Sequence, residues 1–249
     1  MNKFYTDHLY VLYQNNAEYN RFINYIVDFS FTFDMISSIQ VQDMNPIQTF
    51  NLVDYNTNQY LKLYIDRYKN RQLNINMISH IKSIIKIIQN AIDNNYESIT
   101  ILEYDVFFHK DIYNLLPKYK NLIDNCDIIY LGSSQSYWYN PVTMQKIEYH
   151  LHNNSPYYVA NHSLGTFAII LKKKVFNEYM ELLNSYLFTS DVALCIVSKK
   201  YNSVVIYPNI VICDISKSTI MQSRNIKATF FKFKWKLVDY LLPPEYGMA

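Results

Sequence analysis

The sequence predicts an α/β fold, with a mostly parallel central sheet covered by helices on both faces, and three observations predict it. Two runs, 98–106 (SITILEYDV) and 127–132 (DIIYLG), are close to continuously apolar, as strands buried on both faces are. The segments 74–92 and 112–123, on either side of the first run, carry apolar residues at helical spacing. Strand, helix and strand therefore alternate, the pattern of parallel strands joined by crossover helices.

The other elements follow in order. Residues 8–13 (HLYVLY) form a short apolar and aromatic run bounded by polar residues, which reads as a strand. Residues 15–29 place Tyr19, Phe22, Ile23 and Ile26 on one helical face, and 36–41 suggest a second strand. Residues 43–59 are polar and irregular around Pro46. The helix at 74–92 carries a stripe of Ile75, Ile78, Ile81, Ile85, Ile88 and Ile92. In the second half, strands are expected at 147–151, 166–171, 203–207 and 210–213, and helices at 174–187 and 191–199. No repeat, low-complexity tract or flexible linker interrupts the chain, so one continuous domain over 1–249 is expected.

Composition narrows the function classes. The chain has 25 Tyr and 14 Phe but only 3 Gly, and it is rich in Asn and Ile, as an AT-rich coding sequence would be. Net charge is +2, from 23 basic and 21 acidic residues, which provides no strong field for nucleic acid or a membrane surface. The stretch 224–236 is locally basic and aromatic (Arg224, Lys227, Lys232, Lys234, Lys236 among Phe230, Phe231, Phe233 and Trp235). It reads first as an amphipathic segment whose rings pack and whose lysines are solvated. Cys126, Cys195 and Cys213 lack the spacing of a disulfide framework or a zinc cluster. No signal peptide is evident, and no run approaches the about 18 apolar residues of a membrane span. A cytoplasmic location is expected.

The sharpest local feature is Glu103-Tyr104-Asp105. On a strand, alternate side chains share a face, so the two acids would point together and Tyr104 away. Paired carboxylates repel unless a cation lies between them, and hard oxygen donors suit Mg²⁺ or Mn²⁺. Their place at the end of a buried strand is also where ligands gather in such sheets.

The ordered set of segments resembles glycosyltransferase family 25, the lipopolysaccharide- and collagen-modifying glycosyltransferases. The resemblance rests on a strand followed by an arginine-bearing segment (Tyr10, Leu12, Arg21) and on Ser79-His80 in a helix. It continues in Leu102-Glu103-Tyr104-Asp105-Val106, in Tyr130-Leu131-Gly132 and in Gly165-Thr166 before a strand. Asp191 at a helix start, Pro208 after a strand and Ser218-Thr219-Ile220 complete it. It spans most of the chain, and Tyr104 departs from it by standing where the family has an acid.

The resemblance implies a GT-A type fold, a Rossmann-like α/β/α sandwich. Its nucleotide-sugar-binding half would be about 1–135 and its acceptor-side half about 136–249. It implies a UDP-sugar donor, Mn²⁺ (or Mg²⁺), and transfer of glucose or galactose to a hydroxyl of a glycan or of a protein such as hydroxylysine in collagen-like chains. Glu103 and Asp105 become metal ligands; the chain has no histidine after His162 to add a C-terminal ligand, and Asp214, after a predicted strand, is the substitute candidate, with a turn aspartate as an equal reading. Asp191 becomes the base of an inverting transfer, with a helix N-cap as its rival reading. Tyr10, Leu12, Arg21, Ser79, His80, Tyr104, Gly132, Trp138, Gly165 and Thr166 are expected around the donor. Trp138, like Tyr137 beside it, offers a face for a sugar or base, although packing is the common fate of a tryptophan. Gly132 and Gly165 stand out because glycine is so rare here, and each marks a close backbone approach or a positive φ. A homodimer is allowed. The alternatives are a GT-A-type protein that binds glycan or scaffolds a partner without turnover and, further off, a nucleotidyltransferase. Against the latter, HLYVLYQNN lacks a glycine-rich phosphate loop.

Overall fold

The computed structural model of the chain describes residues 3–26, 33–39, 73–135, 138, 146–152, 154–160, 162–215 and 226–242. Strand β1 (His8–Tyr13) leads into helix α1 (Asn16–Tyr25), which Asn15 caps by accepting from the Glu18 N–H. Strand β2 (Asp34–Ser37) and helix α2 (Ile75–Asp93) follow. The run expected as one strand at 98–106 is two, β3 (Ser98–Glu103) and β4 (Val106–Phe108), parted by a turn at Tyr104 and Asp105. The helix expected at 112–123 is broken. Pro117 cannot donate to an α-helical ladder, so α3 (Ile112–Leu115) passes through a 3₁₀ turn (Leu116–Tyr119) into α4 (Lys120–Asn125).

The second half contains β5 (Ile128–Tyr130), β6 (His150–His152), β7 (Ser155–Val159), β8 (Ala168–Lys172), α5 (Lys173–Asn184) and α6 (Ser190–Val197). Strands β9 (Ser203–Ile206) and β10 (Val211–Cys213) and helix α7 (Ile226–Phe233) complete it. Strand β7 was not expected, because Pro156 sits inside it. The irregular stretch 43–59, Tyr137 and Ser218-Thr219-Ile220 lie outside the described residues.

Eight strands form one sheet in the order β2-β1-β3-β8-β5-β9-β7-β6. Strands β7 and β8 pair antiparallel with both neighbours, so they run against the other six. The sheet is therefore mixed in its pairing, mostly parallel in its strand directions, and compatible with a Rossmann-like fold. Strands β4 and β10 form a separate antiparallel pair.

Alternate residues of each central strand enter opposite layers. Tyr10, Ile99, Ile101, Ile169, Leu171 and Val205 pack with α2, α5 and α6. Leu9, Val11, Ile129, Ile170, Val204 and Ile206 pack with α1, α3, α4, α7 and the β4–β10 pair. The central strands are thus buried on both faces, as their apolar runs require. Helix α7 buries Phe230 and Phe233 and leaves Phe231 exposed. Cys126 and Cys195 are buried thiols and Cys213 is half-buried; none forms a disulfide. Among the described residues no helix is long and apolar enough to cross a membrane.

Candidate functional site

Strand β3 delivers Glu103 to the carboxyl edge of the sheet, and the chain then turns through Tyr104 and Asp105 into β4. Backbone bonds fix this turn. The Glu103 N–H donates to the Phe167 carbonyl at 2.8 Å, and the Tyr104 N–H to the Leu12 carbonyl at 3.0 Å. The Asp105 carbonyl accepts from the Asp214 N–H at 2.7 Å, tying the end of β10 to the acid turn.

Glu103 Oε1 accepts from the Thr166 hydroxyl at 3.2 Å and lies 3.2 Å from His80 Nε2. The other ring nitrogen, His80 Nδ1, is 2.8 Å from the Ser190 hydroxyl. One chain of polar contacts thus joins the approach to β8, the end of β3, the first turns of α2 and the start of α6. Burial works against charge on both His80 and Glu103. The attraction between them prevails, raising His80 above and lowering Glu103 below their ordinary values, and the charge of Asp191 also favours the imidazolium.

Asp105 is held differently. Among the described residues its Oδ1 is buried without a hydrogen-bond partner. Burial, then the charges of Glu103 and Asp214, push its carboxyl well above the usual range, and its own backbone N–H and then Arg21 offset this only in part. Asp214 has a fully enclosed side chain, paired with the Arg21 guanidinium at 3.1 Å. A buried carboxylate oxygen left unpaired among like charges requires a proton or a cation. Among the described residues no three or more His, Cys, Asp or Glu side chains converge as a metal cage. Cations that carry a diphosphate need only one or two carboxylates, with water and phosphate oxygens completing the shell. The donor chemistry of Asp105 fits such an ion.

Asp191 lies in the first turn of α6, where its Oδ1 accepts from the Thr189 hydroxyl at 2.5 Å and the Val192 N–H at 2.9 Å. It therefore serves the helix start from inside the first turn, while the N-cap position belongs to Thr189. Tyr104 packs against the layer that holds α1, and burial, followed by the charges of Asp105 and Glu18, raises its phenol.

Other expected donor-binding side chains are used within the fold. Tyr10 is fully buried and donates to Asn90 Oδ1 at 2.6 Å, and Leu12 is buried in the same layer. Leu12 pairs in register with Glu103, and its carbonyl accepts from the Tyr104 N–H. The Ser79 hydroxyl donates to the Ile39 carbonyl, fastening the segment after β2 to α2. A Cβ at Gly132 would stand 1.9 Å from the Val211 carbonyl oxygen, and Gly165 has φ +102 with the Phe167 ring against it. Both glycines permit close packing of protein on protein. Trp138 lies in a cluster with Tyr149, Tyr158 and Tyr207.

The acid turn thus gathers Glu103, Tyr104, Asp105, Asp214, Arg21, His80 and Thr166, with Asp191 nearby. Ser190 was missed in the sequence. It stands 110 positions from His80, and a serine at a helix start announces only a cap. No family model and no curated protein matches the chain.

Proposed function

We propose that the chain is a metal-dependent glycosyltransferase of the GT-A type. It would be an inverting hexosyltransferase that moves glucose or galactose from a UDP-sugar to a hydroxyl of a glycan or of a protein such as hydroxylysine in collagen-like chains. The resemblance to glycosyltransferase family 25 supports this reading. The observation that carries it is the buried, unpaired Oδ1 of Asp105 beside Glu103 and Asp214 at the exit of β3. Carboxyl edges of such sheets are where ligands bind.

In this reading Asp105 would be the principal ligand of Mn²⁺ or Mg²⁺, which would supply positive charge for a diphosphate leaving group. Thr166 and His80 fix one oxygen of Glu103, which leaves its other oxygen for a metal-bound water. Arg21 holds Asp214 and would offer its remaining N–H groups to phosphate. Asp191 takes the acceptor proton through the oxygen that Thr189 and Val192 leave unused.

Hydrolysis of UDP-glucose and UDP-galactose, measured with and without Mn²⁺, tests the reading. Wild-type protein is expected to release UDP only with the metal. Asp105→Asn, which removes a disfavoured buried charge and so leaves the fold intact, should lose about 100-fold or more of that activity. Undiminished turnover by Asp105→Asn removes Asp105 from the site. Binding of UDP-sugar without turnover by the wild type favours the glycan-binding alternative.

A further inference from the structure

Four aromatic rings, Trp138, Tyr149, Tyr158 and Tyr207, meet where the β6–β7 hairpin overhangs the end of β9. Their centroids are between 4.6 Å (Tyr149–Tyr207) and 6.5 Å apart for every pair. Tyr158 is fully buried at the base of the cluster, whereas Tyr149 is 40% exposed, so the cluster opens to the surface. The Lys234 ammonium lies over the Trp138 ring, 3.7 Å from its centroid and 5.9 Å from that of Tyr149. It is also 3.4 Å from the Tyr149 hydroxyl. Trp138 Nε1 donates to the Lys232 carbonyl at 2.9 Å. The end of α7 therefore holds this indole by both its edge and its face.

The backbone at Lys234 is unusual. Its φ is +57, in the left-handed region. Its N–H donates to the Phe231 carbonyl at 3.1 Å and the Trp235 N–H to the Phe230 carbonyl at 3.0 Å, closing α7 in a turn where glycine is the common residue. A lysine here is strained where glycine would not be. Partial burial and the charge of Lys146 both work against its ammonium. The ring faces are what hold it, since a cation over an indole is attracted by the ring quadrupole.

The geometry points to an alkylammonium-binding site: the Trp138 face, framed by Tyr149 and Tyr207, takes the charged head and aliphatic stem of a lysine-like ligand, and Lys234 is its occupant within the free chain. Lys234 is exposed, so an incoming ammonium can displace it. The aliphatic stem packs along the rings while the charge stays at the open side. The site owes nothing to the acid turn and stands whether or not the chain transfers sugars.

Lys234→Gly empties the ring face and suits the left-handed backbone, so the variant should melt no lower than the wild type. Trp138 fluorescence is titrated with N-acetyl-lysine methylamide and, as the uncharged counterpart, N-acetyl-norleucine methylamide. The chain has 2 Trp, so Trp138→Leu in the same background isolates the signal from Trp235. The lysine probe is expected to bind Lys234→Gly about tenfold more tightly than wild type, because the tethered competitor is gone. Norleucine should give no saturable signal. No saturable lysine binding by a folded Lys234→Gly, or equal binding of norleucine, overturns the site. Lys234→Asn, which also tolerates the left-handed region, supplies the same readout should glycine loosen the turn.

Discussion

His80 on α2 gathers contacts from two other elements, with Glu103 of β3 on one ring nitrogen and Ser190 of α6 on the other. Both contacts suit an imidazolium, which donates from both nitrogens. The pH dependence follows from the directions of the two shifts. His80 is raised from 6.5, so its share of the stabilisation is whole below 6.5 and lost as pH rises through the folded value. Glu103 is lowered from 4.5, so its share is whole above 4.5 and lost as pH falls through the folded value. The pair is therefore at full strength between 4.5 and 6.5. Thermal melts of wild type and Glu103→Gln across pH should differ most inside that window and converge on either side. A gap that stays constant with pH would mean that the pair is not ionised. Glu103 and His80 stand out in the sequence because of the motifs around them, and the structure places them in contact. The Ser190 contact was not legible there, since it depends on how α6 packs against α2.

Helix α2 illustrates what periodicity captures and what it leaves out. Its spacing places it at 74–92, and the helix runs over Ile75–Asp93 between Asn74 and Asn94. Its buried face was read with a twist. The residues that reach the sheet are Met77, Ile78, Ile81, Ile84, Ile87, Ile88 and Ala91, while Ile75 is 37% exposed and Ile85 and Ile92 sit at the margin. Isoleucine occupies both faces of this helix, so composition could not say which one met the core. The cap emerges from the structure. Asn74 Oδ1 accepts from the Met77 N–H at 2.9 Å, and Asn74→Ala should cost about 1 kcal/mol. For a domain of this size that is about 2–4 °C in melting temperature. An unchanged melt would assign the helix start to packing alone. The β3–β4 turn failed to show for a related reason: the apolar run continues through Val106, Phe107 and Phe108, and only pairing with β10 diverts it from the sheet.

At the scale of the whole molecule, two buried layers on opposite faces of one sheet carry an acid turn that weakens the fold. The parallel strands were legible from their apolar runs, whereas the antiparallel setting of β8 was not, because a strand buried on both faces reads alike in either direction. That setting brings Thr166 and Phe167 beside Glu103. Within this frame Asp105 is the liability. Its carboxyl is raised well above 3.8, so the folded chain holds that proton more tightly than the unfolded chain does. Stability contributed by the protonated form is whole below 3.8 and lost as pH rises through the folded value. A divalent cation reverses the sign, because it binds the deprotonated carboxylate and binds only the folded chain. Melting temperatures taken from about pH 5 to about pH 8 should therefore fall without metal, and the gain on adding Mn²⁺ should grow toward the alkaline end. Asp105→Asn should reduce the metal-free fall to the part that the His80–Glu103 pair contributes, and abolish the gain from Mn²⁺. A Mn²⁺ gain that survives intact in Asp105→Asn, or its absence from the wild type at the alkaline end, would leave the unpaired oxygen as a defect of packing and remove the cation from the site.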